Sequence, residues 1–236
     1  MFNKKFIVLG HRGAPKYFRE NTIESFKEAI HQGVDGIELD VQKTLDKQVL
    51  IHHDRYLIDN KTKIKNVKIK KIQKIQNKNK LNYLKELKQI IYDIKILNIE
   101  IKSDSIFNKN IEKDVINFIK KNKIQKKTIV SSFNPLVLKK IKKIDKNIKV
   151  GYLFSKTNKN ILLKTKLWSY FIKPDTFHTD LNTINKKLVS WCKRKKMPVL
   201  IYTVNTLEDL FKVKKLKVDG VFTDDPKKIY TFLKKI

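Results

Sequence analysis

Short runs of apolar residues recur along the chain, and most precede a segment in which apolar residues fall three or four positions apart. Runs of the first kind are typical of buried strands, and segments of the second kind are typical of amphipathic helices. The predicted strands are Phe6–Leu9, Gly36–Val41, Leu97–Ile101, Thr128–Ser131, Lys149–Phe154, Thr176–Thr179, Val199–Thr203 and Gly220–Phe222.

Helical periodicity is found between these strands, and the alternation predicts a parallel sheet covered by helices. Eight strands in 236 residues favour one α/β domain, a TIM (β/α)8 barrel over residues 1–236, rather than an open doubly wound sheet. The predicted helices are Ile23–Ile30, Leu81–Ile91, Ile111–Ile119, Leu136–Ile144, Leu188–Lys193, Leu207–Val213 and Ile229–Leu233.

One segment does not fit the alternation. Asp59–Lys80 is polar, rich in Lys and Asn and only weakly periodic. We expect an extended loop or a short excursion there rather than a barrel element.

Composition adds a large positive charge to this picture. The formal net charge is +31, which is the balance expected of a protein that binds nucleic acid or an anionic membrane. The excess is almost entirely Lys, is spread over the whole chain and accompanies many Ile and Asn residues, all of which have A/T-rich codons. Codon drift therefore accounts for the charge, and we expect no specific nucleic-acid partner; a polybasic binding module remains the rival interpretation.

The cellular compartment is predicted from three features. Cys192 is the single cysteine, so the chain has no disulfide framework and suits a reducing compartment. The apolar stretch before His11 is too short for a signal peptide, and no stretch has the length of a transmembrane helix. We therefore expect a cytoplasmic protein without membrane insertion; its oligomeric state cannot be read from the sequence.

Ionisable residues concentrate at the ends of predicted strands. His11-Arg12-Gly13 follows the first strand, Glu38-Leu39-Asp40 lies in the second, and Glu100-Ile101-Lys102 ends the third. His52-His53-Asp54 follows another apolar run. Because side chains two positions apart point to the same face of a strand, and active sites of such barrels lie at the carboxyl ends of the strands, these groups should converge.

The converging groups suit the cleavage of a phosphodiester. Three carboxylates (Glu38, Asp40, Glu100) suit a hard cation such as Mg²⁺ or Ca²⁺ better than zinc. Arg12 and Lys102 would neutralise phosphoryl oxygens, and two histidines could act as base and acid. Taken singly, each residue could be an ordinary structural group or a surface ion pair. Several ionisable groups inside one barrel are costly unless they compensate each other, which favours a site.

With these residues in this order, the chain resembles the glycerophosphodiester phosphodiesterase family, in particular its cytoplasmic bacterial type. The likeness covers nearly the whole chain, and its motifs are individually weak but specific in their order. The motifs are His11-Arg12-Gly13, Glu20-Asn21-Thr22, Gly36-Ile37-Glu38-Leu39-Asp40-Val41, His53-Asp54, Glu100-Ile101-Lys102, Ser131-Ser132-Phe133, Tyr202-Thr203-Val204-Asn205 and Asp219-Gly220-Val221-Phe222-Thr223-Asp224-Asp225-Pro226.

The resemblance implies an enzyme that hydrolyses glycerophosphodiesters, such as glycerophosphocholine or glycerophosphoethanolamine, to glycerol 3-phosphate and an alcohol. It implies one divalent cation, Mg²⁺ or Ca²⁺, as cofactor and a small-molecule substrate as partner. The implied roles are acid/base catalysis for His11 and His53, metal binding for Glu38, Asp40 and Glu100, and phosphate contact for Arg12 and Lys102.

Some positions depart from the family. The family often has an arginine where this chain has Asn60, and tryptophan is common where this chain has Tyr202. His52 matches no family role. A phospholipase D-like enzyme that acts on intact lipids is the alternative within the same kind of barrel, and an exposed apolar rim around the site would favour it.

Overall fold

The computed structural model describes residues 6–76, 81–103, 110–157 and 165–235. Within these residues, eight parallel strands each hydrogen-bond to the next around a ring, and β1 (Ile7–Gly10) closes the ring by pairing with both β2 (Gly36–Lys43) and β10 (Gly220–Thr223). The remaining barrel strands are β5 (Leu97–Ile101), β6 (Thr128–Ser132), β7 (Lys149–Phe154), β8 (Thr176–Asp180) and β9 (Val199–Tyr202). The predicted single-domain TIM barrel is confirmed.

Helices pack around the outside of this ring. Most follow a barrel strand directly, as a β/α repeat requires. Side chains of Thr22, Asn134, Asn185, Thr206 and Asp225 cap the amino ends of five of them. The helices are α1 (Ile23–His31), α2 (Ile69–Gln76), α3 (Ile111–Lys121), α4 (Pro135–Ile144), α5 (Trp168–Ile172), α6 (Lys186–Arg194), α7 (Leu207–Lys215) and α8 (Pro226–Leu233).

Strand alternation separates two apolar regions. Val8 belongs to the large cluster between the strands and the helices, whereas its neighbours Ile7 and Leu9 belong to a small cluster with Leu200 and Phe222. Since successive side chains point to opposite faces, the small cluster fills the barrel interior. The small cluster fills only the part of the interior nearer the amino ends of the strands. Polar side chains line the interior toward the carboxyl ends.

An excursion leaves the barrel between β2 and β5. Its strands β3 (Val49–Ile51) and β4 (Asn82–Tyr83) extend β2 as an antiparallel ribbon, and α2 lies between them. Leu50, Leu57, Ile64 and Ile72 form a separate apolar cluster within it. The expected excursion is therefore present, although the prediction missed its helix.

Two helix predictions differ from the structure. The predicted helix Leu81–Ile91 is instead β4 followed by a 3-10 helix, Leu84–Gln89, since β4 pairs with β3 and the Tyr83 N–H donates to Glu86 Oε2 at 2.7 Å. The short helix α5 was not predicted. Across the ranges that the structure describes, no helix combines the length and the apolar character that a membrane span needs.

Candidate active site

Three buried carboxylates meet at the mouth of the barrel. Strand register brings Asp40 of β2 directly opposite Glu100 of β5, and Glu38 lies two residues before Asp40 on the same face. One oxygen from each carboxylate lies within 4.8 Å of the other two. The outward-facing Leu39 and Ile101 pack against the helices, which fixes the inward direction of the carboxylates.

Two cations are tied to this cluster. The Lys102 Nζ lies 2.6 Å from Glu100 Oε1 and 3.0 Å from Asp40 Oδ1. Arg12 Nε lies 3.3 Å from Asp40 Oδ2, and Arg12 Nη1 donates to Glu20 Oε2 at 2.8 Å. The sequence thus correctly places these cations beside the carboxylates.

Burial and charge act in opposite directions on the two carboxyl groups of β2. Burial raises the pKa of Glu38 well above its ordinary value, and the neighbouring Asp40 and Glu100 raise it further. Burial acts on Asp40 in the same sense, but Lys102, His53 and Arg12 outweigh it and hold the pKa of Asp40 below its usual range. Asp40 is therefore an anion at neutral pH, whereas Glu38 binds a proton more readily than an ordinary glutamate does.

The surroundings of Glu38 fit a bound cation. Its Oε1 is buried and accepts no hydrogen bond from any of the described residues. A buried acceptor without a donor is costly, and a metal ion is one of the groups that satisfies it. With three carboxylates in reach of one point, the donor set is the hard oxygen set that Mg²⁺ and Ca²⁺ prefer.

Residues between β1 and α1 hold the carboxylates in place. The Arg12 N–H donates to Glu38 Oε2 at 2.9 Å from a left-handed backbone conformation (φ 53°). Asn21, with φ 58°, donates from Nδ2 to Asp40 Oδ2 at 2.9 Å and accepts from the Asp40 N–H at 3.1 Å. Thr22 caps α1, whereas its neighbour Asn21 orients a carboxylate.

His11 is held by a network that the sequence did not reveal. Its Nδ1 lies 2.7 Å from Asp224 Oδ1, and the other oxygen of Asp224 accepts from Asn205 Nδ2 at 2.6 Å. Asn205 Oδ1 in turn accepts from the Asp224 N–H at 2.9 Å and from Thr223 Oγ1 at 3.1 Å. With Nδ1 committed to Asp224, the free ring nitrogen of His11 is Nε2. A cavity of about 570 Å³ opens beside His11, Arg12, Glu20, Asn205 and Asp224.

The second imidazole, His53, comes from the excursion. Its Nδ1 lies 2.8 Å from Asp54 Oδ1, and Gln42 Nε2 donates to the backbone carbonyls of His52, His53 and Asp54 at 2.6 to 3.1 Å. Burial, followed by the Lys102 ammonium, lowers the pKa of His53, so the ring is neutral near pH 7.

His52 lies at the edge of this region. Its Nε2 is 3.4 Å from the Tyr56 carbonyl oxygen, a long contact. His52 is therefore a neighbour at the rim of the site.

Comparison with known proteins agrees with this geometry. The chain is 32% identical to the Glycerophosphodiester phosphodiesterase of Caldanaerobacter subterraneus subsp. tengcongensis, with 98% of this chain and 99% of that protein covered. The crystal structure of the glycerophosphodiester phosphodiesterase from Thermotoga maritima is 28% identical with a TM-score of 0.74, covering 98% of each chain.

A third relative is similar in fold. The structure of an Oleispira antarctica phosphodiesterase in complex with the product sn-glycerol-3-phosphate has a TM-score of 0.81 at 23% identity, covering 97% of this chain and 96% of that one. The model of the Glycerophosphoryl diester phosphodiesterase family matches residues 11–228, which include all of the candidate site residues. The chain therefore belongs to the glycerophosphoryl diester phosphodiesterase family and is a phosphoric diester hydrolase.

Proposed function

We propose that residues 1–236 form one domain that hydrolyses small glycerophosphodiesters, such as glycerophosphocholine or glycerophosphoethanolamine, to glycerol 3-phosphate and an alcohol in the cytoplasm. The observation that carries the proposal is the meeting of three carboxylates, two cations and two imidazoles at one barrel mouth. The product bound by the Oleispira antarctica relative supports the glycerol 3-phosphate end of the substrate. The single, buried cysteine agrees with a reducing compartment.

Glu38, Asp40 and Glu100 would hold one divalent ion, Mg²⁺ or Ca²⁺. Bound there, the ion would act as a Lewis acid that draws charge from a phosphoryl oxygen. When ionised, the three carboxylates carry three negative charges, and Arg12 and Lys102 carry two positive charges. The site alone therefore has one excess negative charge. A divalent cation would reverse that sign and leave the site able to accept one phosphodiester anion.

Arg12 and Lys102 would contact the phosphoryl oxygens. Both already lie beside Asp40, and hydrogen bonds between cations and phosphoryl oxygens are about twice as strong as neutral ones. Burial lowers the pKa of Lys102, but Glu100 and Asp40 raise it by more, so the ammonium stays charged at neutral pH. These cations would hold the phosphorus in position while charge builds on its oxygens.

His11 and His53 would transfer the protons. One imidazole removes the proton from the attacking oxygen as its bond to phosphorus forms, and the other donates a proton to the alkoxide as its bond to phosphorus breaks. The neutral state of His53 suits a base, and the contact of His11 with Asp224 holds the second ring in a fixed orientation. Carboxylate partners at both Nδ1 atoms leave both Nε2 atoms for this work.

The first test is the release of glycerol 3-phosphate from a panel of glycerophosphodiesters in the presence of Mg²⁺, Ca²⁺ or a chelator. We expect release that depends on the metal and stops with chelator. The panel also ranks the head groups and the two metals. Absence of release from every substrate by folded protein would contradict the proposal.

The partners of the two imidazoles allow a paired prediction. Asp224→Asn should lower kcat by about 100-fold or more, because an amide N–H facing Nδ1 favours the tautomer that carries its proton on Nε2. Asp54→Asn should lower kcat by less than about tenfold, because the Asp54 side chain is 72% exposed and water can replace its hydrogen bond. Steady-state kinetics on both variants, with circular dichroism to confirm folding, tests this. Equal losses would show that the hydrogen-bond network around His11 has no special role.

A second function, cleavage of intact phospholipids, is favoured by one observation. The segments that follow His11 and His53 carry exposed apolar side chains: Phe18 is 46% exposed and Ile58 is 60% exposed, and Tyr17 and Tyr56 accompany them. Apolar side chains beside cationic ones are typical of surfaces that enter a lipid headgroup layer. Phospholipid vesicles therefore belong in the same panel. Cleavage of vesicle lipids without cleavage of glycerophosphocholine would make this the main activity.

A further inference from the structure

Tyr202 lies at the top of the barrel interior. It ends β9, where it pairs with Asp180 of β8, and it shares its face of the strand with the interior residue Leu200. Its ring packs on the interior apolar cluster and meets the ring of Phe133 edge-on, with centroids 6.3 Å apart. The phenol therefore points inward, toward the level of the carboxylate cluster.

The hydroxyl of Tyr202 is buried and makes no hydrogen bond with any residue in the described ranges. Burial raises the pKa of this phenol well above its ordinary value, and the Asp180 and Glu100 carboxylates raise it further, so the group keeps its proton and remains a donor. A buried, unpaired hydroxyl destabilises a fold, whereas phenylalanine would fill the same space without that cost. The hydroxyl thus contributes nothing to packing that a phenyl ring would not supply.

The charges around the hydroxyl limit what it can bind. The Asp180 and Glu100 carboxylates are the charges that act on the hydroxyl, whereas Lys102 bridges Glu100 and Asp40, and Arg12 contacts Asp40. An anionic phosphoryl oxygen would be drawn to the cations and repelled by the carboxylates. A neutral alcohol oxygen avoids this conflict, because it accepts from the phenol and donates its own proton to a carboxylate.

We propose that the Tyr202 hydroxyl donates a hydrogen bond to a glycerol hydroxyl of the substrate and so selects phosphodiesters that carry glycerol. This inference rests on the proposed function for its substrate class. It makes Tyr202 a specificity-determining residue that binds the alcohol part of the substrate, in contrast to the residues that act on phosphorus.

The test compares sn-glycerol 3-phosphate with propyl phosphate, which has the same carbon chain without its two free hydroxyls. By titration calorimetry the wild type should bind glycerol 3-phosphate more tightly than propyl phosphate, and Tyr202→Phe should remove about tenfold of that preference. The affinity for propyl phosphate should stay unchanged. Since phenylalanine removes an unpaired polar atom, the melting temperature of the variant should equal or exceed that of the wild type.

Tyr152→Phe is the matched control. Its hydroxyl donates to the Thr165 carbonyl oxygen at 2.9 Å, so its loss should lower the melting temperature and leave the ligand preference intact. If the wild type does not distinguish the two ligands, or if Tyr202→Phe keeps the full preference, the inference is wrong. An equal loss for both ligands would place the hydroxyl at phosphate and also overturn it. These binding outcomes do not depend on turnover, whereas the proposed function fails only if no diester is cleaved.

Discussion

Replacing His11 or His53 by asparagine is expected to lower kcat for glycerophosphodiester cleavage by about 10² to 10⁴-fold while the protein stays folded. Asparagine removes Nε2, the nitrogen to which we assign the proton transfer, but its amide N–H can still donate to the carboxylate that each Nδ1 contacts. Steady-state kinetics gives the loss, and circular dichroism confirms the fold. His52→Asn is the matched control, because its ring makes only a long contact at the rim; its kcat should stay within about twofold of the wild type.

A substrate with a better leaving group distinguishes the general acid from the general base. An aryl glycerophosphodiester releases a stable phenolate, which needs little protonation, so the variant that lacks the general acid should recover much of its rate on this substrate. The variant that lacks the general base should not recover. Full activity in both variants on the alkyl substrate would remove the histidines from the mechanism.

The second large effect is expected from Glu38→Gln. The amide keeps the volume of the side chain and an oxygen that can accept from the Arg12 N–H. It removes one of the three negative charges of the carboxylate cluster. Loss of one charge at this distance is worth about 1 to 4 kcal/mol, so the affinity for Mg²⁺ or Ca²⁺ should fall roughly ten- to 1,000-fold. Turnover at limiting metal should fall in parallel, and calorimetric metal titration measures the change directly.

Thermal melting gives the same substitution a second signature. The pKa of Glu38 is raised by folding, so its carboxyl favours the folded state when protonated, and that stability is lost as pH rises above the ordinary pKa of a glutamate toward the raised one. In chelator near pH 7, Glu38→Gln should therefore melt at or above the wild-type temperature. A given concentration of added metal should raise the melting temperature of the wild type by more than that of the variant.

Glu24→Gln controls for net charge. Glu24 is exposed in the first turn of α1, so its loss changes the total charge equally without touching the cluster. Its metal affinity should match that of the wild type. If both variants lose affinity to the same extent, the cluster is not the metal site.

The barrel was predictable because its strands are buried on both faces. Such strands appear as continuous apolar runs, and Leu97–Ile101 and Lys149–Phe154 occur at the predicted bounds. Helices α2 and α5 were not predicted, because α2 lies in a Lys-rich segment and α5 has only five residues. The local apolar spacing also predicted a helix where β4 forms. The prediction was wrong because a local pattern does not show that β4 pairs with β3, which is distant in sequence.

The site was predictable where its residues share a strand. The spacing of Glu38 and Asp40 fixes their common face, and strand order brings Glu100 beside them. The partner that orients His11 was not predictable, because it lies far away in sequence. His11 and Asp224 are separated by 213 positions, and only closure of the barrel brings them together.

The active site is built from two parts that are stabilised separately: the excursion, which has its own apolar cluster, and the barrel strands that carry the carboxylates. The segment that carries His53 is stabilised by the apolar cluster of Leu50, Leu57, Ile64 and Ile72. The carboxylate cluster depends instead on the pairing of β2 with β5. Mutations can therefore reshape one wall of the site while the barrel register that aligns the carboxylates stays intact. Substitutions within the excursion can therefore be selected or engineered separately from the strands that carry the three carboxylates.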